Sequence, residues 1–223
     1  MSAAADALLA HLRSLRNERN IEGMRRFGIV TTGEQLGISA PVLRTLAREH
    51  RRDHALALEL WASGIHEARG LATLVDDPRA VTRSQMESWV RDCDNWAVTD
   101  ALAFLFDRTP YAVEKVESWS RRRAEFVKRA AFSIVAGMAT HRKELPDEVF
   151  LGFLPIIERE AVDERNFVKK AVNWALRGIG KRNARLHLAA MAQAEKLRAL
   201  DSRSARWIAT DALRELRTRH PKP

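Results

Sequence analysis

The sequence predicts an all-α chain in which helix pairs stack side by side, and three observations carry that prediction. Apolar residues recur at intervals of three and four along the whole 223-residue chain, the period of one face of an α-helix. No stretch alternates apolar and polar residues by twos between hairpin turns, as a half-buried strand would. Helical segments also repeat. "EFVKRAAFSIV" (125 to 135) resembles "NFVKKAVNWAL" (166 to 176), and a shift of 41 residues superposes Phe126 on Phe167, Lys128 on Lys169 and Ala130 on Ala171.

The first element, "MSAAADALLAHLRSL", is amphipathic and is placed within 3 to 17. Asp6 stands where a secretory signal would carry a basic patch. "FGIVTTGEQLGIS" (27 to 39), the only stretch rich in Gly and Thr, reads as a loop or turn-bearing connection. Pro41 sits near the start of the next helix, within 40 to 50. Helices follow within 54 to 63 and 66 to 75, and Pro78 separates them from 82 to 91 and 95 to 106. Beyond Pro110 come 111 to 120 and 124 to 139, Pro146 opens 147 to 161, and 164 to 178, 182 to 198 and 203 to 218 complete the chain.

A second shift of 41 brings Ile208 and Ala212 into register. Upstream, "NWAVTDALAFL" (95 to 105) and "HEARGLATLV" (66 to 75) fit the same template at a spacing near 29. Each unit is then a helix pair of the HEAT kind, in which neighbouring pairs bury a continuous core and the second helices line a concave face. The expectation is a solenoid (an α-α superhelix) forming one repeat domain over 1–223, with a concave basic groove.

Composition narrows the function. Apolar residues make up 46% and charged residues 30%, which argues against disorder. Lys plus Arg outnumber Asp plus Glu by 38 to 29, a net charge of +9 and a pI near 10.4, which favours a polyanionic partner. Nucleic acid is the first candidate. A membrane surface is the second, but no apolar run approaches the roughly 18 residues of a spanning helix, so no membrane partner is expected. Cys93 is the single cysteine, so neither a disulfide framework nor a cysteine-built zinc site is available, and a cytoplasmic protein is expected. "HEARG" (66 to 70) has Gly70 where a zinc-binding helix needs its second His, and "RGIGKRN" (177 to 183) lacks the P-loop spacing and a preceding strand. No metal and no cofactor are therefore expected.

The informative stretch is "DNWAVTDALA" (94 to 103). Residues four apart lie one above the other on a helix, so Trp96 and Asp100 share a face. "RWIATDALRE" (206 to 215) has nearly the same spelling, so W-x-x-T-D-A-L is partly repeat grammar. The alternative is that Trp96 packs in the core while Asp100 is solvated or ion-paired at its rim. Arg69, Lys128, Arg129, Lys169 and Lys170 occupy comparable helices, and Trp174 lies one turn beyond Lys170. A carboxylate among such cations stays ionised. Arg129 and the three lysines are cast as phosphate grips, and the run Arg121, Arg122, Arg123 offers outer contacts. Trp61, Trp89, Trp119 and Trp207 are expected to pack between helix layers.

These motifs carry a family resemblance. "LGISAPVLRTLAR" (36 to 48), "NWAVTD", "FVKRAA" and "FVKKAVNWALR" are similar to elements of the AlkD-like DNA alkylation repair family, HEAT-like repeat DNA glycosylases, over about residues 20 to 218. The resemblance places that family's catalytic tryptophan and aspartate on Trp96 and Asp100, its active-site arginine on Arg129 and its second tryptophan on Trp174. Phe27, in "MRRFGI", stands where family members can carry a tyrosine. The resemblance implies a monomeric, monofunctional glycosylase that releases cationic alkylated purines such as N3-methyladenine and N7-methylguanine from double-stranded DNA. The alternative is a non-catalytic HEAT-repeat scaffold that binds nucleic acid or an acidic protein.

Overall fold

Side-chain caps set where many of the helices start. In the computed structural model, which describes residues 1–218, the hydroxyl of Ser2 accepts the N–H of Ala5 and opens α1 (Ala3–Ser14). Asn17 does the same for α2 (Glu18–Arg26), and Asp53, Thr82, Asn95 and Asn183 cap α4 (His54–Ala62), α6 (Arg83–Arg91), α7 (Trp96–Phe106) and α12 (Ala184–Arg198). Pro41 stands in the first turn of α3 (Ala40–Ala47), where its missing N–H costs no helix hydrogen bond. There is no strand among the described residues.

Two differences from the sequence reading have local causes. The first helix stops at Ser14, and α2 occupies residues the periodicity leaves unassigned. "ERNIEGMRR" buries only Ile21, so no apolar stripe announces it. The segment 40 to 50 is a short helix followed by a single 3₁₀ turn, Arg48–His50, after which Arg52 adopts a left-handed backbone (φ 64°) before α4 begins.

The chain divides into two compact units, residues 1–109 and residues 110 onward. In the first, α5 (His66–Val75) pairs with α4, α7 pairs with α6, and the second helices α5 and α7 pack side by side. Leu12, Leu36, Leu60, Leu71, Met86, Leu102 and Phe106 fill the core. Trp61 and Trp89 stack face to face, 4.2 Å between centroids and 1° from parallel, which ties α4 to α6. The Trp61 indole N–H donates to Asp92 at 2.8 Å, satisfying the polar end of a buried ring.

In the second unit α8 (Ala112–Trp119) pairs with α9 (Glu125–His141), α10 (Asp147–Glu160) with α11 (Asn166–Gly180), and α12 with α13 (Arg203–Thr218). The second helices α9, α11 and α13 lie in that order, each on the next. Every residue of α9 from Arg129 to Ala139 is buried, as expected of a helix covered on all sides. Phe126 and Phe167, equivalent in the 41-residue repeat, meet at 5.7 Å on neighbouring helices. Gly180 permits the close approach of α11 and α13, since a Cβ there would fall 2.8 Å from Leu216. Trp119 is fully buried, as expected. Trp207 is not: it keeps 39% of its surface exposed, a correction to its packing assignment.

Candidate functional site

The Trp96–Asp100 pair owes its position to the two residues before it. The Asn95 side chain accepts the N–H groups of Ala97 and Val98, at 3.0 and 3.2 Å, and fixes the start of α7. Asn95 is fully buried, and its amide nitrogen reaches Asp94 at 2.9 Å and the ring of His66 at 3.3 Å. Burial pushes the His66 imidazole below its usual range, which suits a neutral ring accepting from Asn95. Burial raises Asp94, but hydrogen bonds from the Thr32 backbone, Thr31 and Asn95 outweigh it and hold the carboxyl below the usual range.

With α7 started there, Trp96 falls in the first turn and Asp100 one turn later on the same face, both half-buried. The indole N–H of Trp96 donates to the backbone carbonyl of Phe27 at 2.9 Å. Trp96 is therefore not absorbed into the core, and one edge of its ring is held by the chain just past α2. The Phe27 side chain itself is 75% exposed. Its contact with the pair runs through the backbone, a contribution the resemblance to a tyrosine position does not reveal.

The loop that bears Phe27 is tethered by two carboxylates that sequence reasoning passed over. Glu67, 1% exposed, accepts the N–H groups of Leu36 and Gly37 at 2.8 and 2.6 Å. Asp94 accepts Thr31 Oγ1 at 2.8 Å and the Thr32 N–H at 2.7 Å. Gly37 has φ 74°, and a Cβ there would fall 2.3 Å from the Asn17 carbonyl oxygen, so glycine is required. The signal for Asn95 was legible as a capping residue before an apolar run, but nothing local in "HEARG" marks Glu67 as a latch.

The second copy of the motif is built differently. Asp211 accepts from the Asn173 side chain at 2.6 Å, lies 3.6 Å from Arg177 and is paired with Arg214. Its charge serves the α11–α13 contact.

The cations divide into engaged and open groups. Arg69 donates to the Asp92 carbonyl at 3.0 Å and lies 5.3 Å from the Trp61 ring centre. Lys128 is corrected from a phosphate grip to an internal one: it is half-buried, pairs with Glu160 and lies 3.2 Å from Asp163. Arg129 is only 6% exposed, and its guanidinium donates to the Phe167 carbonyl at 2.7 Å, so it lies inside rather than on an open face. Lys170 is exposed, and Trp174 is half-buried one turn along α11 from it. Lys169 lies 5.4 Å from the centre of the Trp207 ring. Arg121, Arg122 and Arg123 are exposed. Cys93 is buried and its thiol is pushed up to about 12, so it offers no nucleophile.

The Lys128 cluster makes a pH prediction. Burial raises Asp163, but Arg165, through side chain and backbone, and Lys128 bring its carboxyl to about 2. A carboxylate held below its unfolded value of about 3.9 stabilises the fold fully above that pH and loses the contribution as pH falls toward the folded value. In urea melts at a series of pH values, Asp163→Asn is expected to remove part of the stability loss in that acid window and to leave a lower, flatter profile above it.

Residues 8–216 match the model of a family described as DNA alkylation repair enzyme. A search of curated protein sequences finds no significant match. One solved structure is similar over 98% of this chain and 97% of its own, with TM-score 0.78 and 17% sequence identity. It is described as "A new family of proteins related to the HEAT-like repeat DNA glycosylases with affinity for branched DNA structures". At that identity the likeness speaks for the fold, which is a HEAT-like helical repeat. Among the described residues, no helix is long and apolar enough to cross a membrane, and no group of three or more His, Cys, Asp or Glu side chains could hold a metal ion.

Proposed function

Because the chain belongs to the DNA alkylation repair enzyme family, we propose that it hydrolyses the N-glycosidic bond of cationic alkylated purines in double-stranded DNA, leaving an abasic site. The observation that carries this reading is the pair on α7: Trp96 and Asp100 share a face, neither is taken into the core, and the indole is fixed by the Phe27 carbonyl. Cleavage of this bond develops positive charge on the sugar, so an ionised Asp100 against it stabilises the transition state more than the ground state. The same carboxylate orients or deprotonates the attacking water. The electron-rich face of Trp96 attracts a base that already carries positive charge. Such a base leaves without a protonating acid, so the reaction needs one carboxylate rather than two.

On the resemblance, Trp174 contributes a second indole to recognition of the substrate. Phosphate contact falls to Lys170 and Lys169, whose charges are not consumed by ion pairs among the described residues. Lys170→Ala is expected to lower the slope of log K against log salt for duplex binding by about one unit. Lys128→Ala is expected to leave that slope unchanged, because Glu160 and Asp163 already neutralise the charge. Arg129 is cast as a strut that holds α9 to α11 rather than as a phosphate grip.

The direct test is incubation of the protein with methylated duplex DNA, followed by assay for free N3-methyladenine and N7-methylguanine. The structural neighbour's described affinity for branched DNA favours a second reading, a binding protein without excision. Release of methylpurine supports the first reading. No release, with tight binding to a four-way junction, establishes the second.

A further inference from the structure

Trp207 is the one tryptophan whose exposure the packing of the helix pairs does not explain. A row of polar contacts joins α11 to α13 at intervals of one turn: Asn173 with Asp211, Arg177 with Asp211 and Glu215, and Lys181 with Glu215. Lys169 and Trp207 occupy the next rung toward the N-termini, where Lys169 makes no close ion pair among the described residues, although the Glu164 carboxylate feels its charge. The repeat makes the contrast sharper. Lys128, one 41-residue unit earlier, is neutralised by Glu160 and Asp163, whereas the positions equivalent to those carboxylates are Asp201, fully exposed and paired with Arg206, and Ser204. Lys169 lies against an indole and lacks the close double ion pair that holds Lys128.

Two further features shape this rung. Glu164 accepts the Ser204 N–H at 3.0 Å and the Ser202 hydroxyl at 3.1 Å, which anchors the first turn of α13 and so sets the height of Trp207 beside Lys169. Arg203, one turn before Trp207 on the same helix face, is exposed and makes no ion pair among the described residues. The result is a partly open aromatic ring beside two cations that share the field of one carboxylate, Glu164, without a close ion pair to it, within the second unit alone.

We infer that Trp207, with Lys169 and Arg203, is a stacking platform for an unpaired base, by which the protein binds single-stranded segments of DNA. Every nucleobase offers a π-face to an indole, whereas in an intact duplex those faces are already stacked on their neighbours. The cations supply contacts to the flanking phosphates, which a ring alone would lack. An acidic protein would satisfy the cations but would leave the exposed ring without a flat partner. The inference rests on the reading of this chain as a DNA-binding protein, yet it concerns residues distant in sequence from the Trp96–Asp100 pair and is independent of excision.

The test is fluorescence anisotropy with a short labelled oligothymidylate and with a blunt duplex of the same length, for the parent, Trp207→Leu and Trp207→Phe. Leu keeps the apolar contacts of α13 and removes the flat ring, so it is expected to lose about tenfold or more in single-strand affinity. Its duplex affinity stays close to the parent's. Phe keeps a face for stacking and retains most of the affinity. The inference is overturned if the parent does not bind oligothymidylate, if Trp207→Leu binds it as the parent does, or if the loss is equal on both probes. Methylpurine release, assayed separately, distinguishes failure of the excision reading from failure of this one.

Discussion

On the excision reading proposed above, Asp100→Asn is expected to abolish methylpurine release while duplex binding is retained or tightened. Asn keeps the size and shape of the side chain and removes its negative charge, and on the proposed reading that charge is what the transition state needs. A carboxylate that stabilises an oxocarbenium-like sugar and handles the attacking water is worth about 10²-fold to 10⁴-fold in rate. Removing an anion also lowers repulsion toward phosphates, hence the tighter binding. The informative control is Asp211→Asn in the second copy of the motif. Asp211 is held by Asn173, Arg177 and Arg214, so its replacement is expected to lower thermal stability and spare excision. The pair of variants separates a chemical from a structural aspartate within one sequence spelling. Single-turnover release of N7-methylguanine measures the first effect and a melting curve the second. Asp100→Asn releasing base at the parent rate would end the assignment.

Much of the fold was legible because helix pairs write their layers into the sequence as a period and a repeat. The segments matched by the 41-residue shift are α9, α11 and α13, and the two matched at shorter spacing are α5 and α7; these are the second helices of their pairs, and within each unit they lie against one another. The helix α2 was not legible, because it is held by its cap and by the Leu36 carbonyl bonding to Asn17 rather than by an apolar stripe. The candidate site shows the same division. Spacing alone puts Trp96 and Asp100 on one face. Spacing cannot tell that Lys128 meets Glu160 from another helix, or that Trp207 lacks the cover that Trp119 enjoys, because burial and ion pairing are decided between helices distant in sequence. The lysines at 128 and 169 are identical in the repeat and differ only in what the next helix brings to them.

The largest effect on stability is expected at Glu67, and it should reach the candidate site as well. Its carboxylate is 1% exposed and accepts two backbone N–H groups, those of Leu36 and Gly37. Glu67→Ala leaves both donors buried without a partner, each costing about 1–3 kcal/mol. The total expected loss is then about 3–5 kcal/mol, comparable with breaking a buried charged network. Glu67→Gln is milder in volume but cannot serve both donors, since its amide nitrogen would face one N–H with another; an intermediate loss is expected. The segment released is the one that runs from Phe27 to Gly37, which is otherwise held by Asp94 through Thr31 and Thr32 and by Glu34 and Leu36 through their carbonyls. Because the Phe27 carbonyl holds the Trp96 indole, loosening this segment should, on the proposed reading, weaken binding of a cationic base before it unfolds the unit. Urea melts of both variants test the stability order Ala below Gln below parent. Hydrogen exchange at Leu36 and Gly37 tests its cause: amides that stay as protected in Glu67→Ala as in the parent would show that the carboxylate is not their latch.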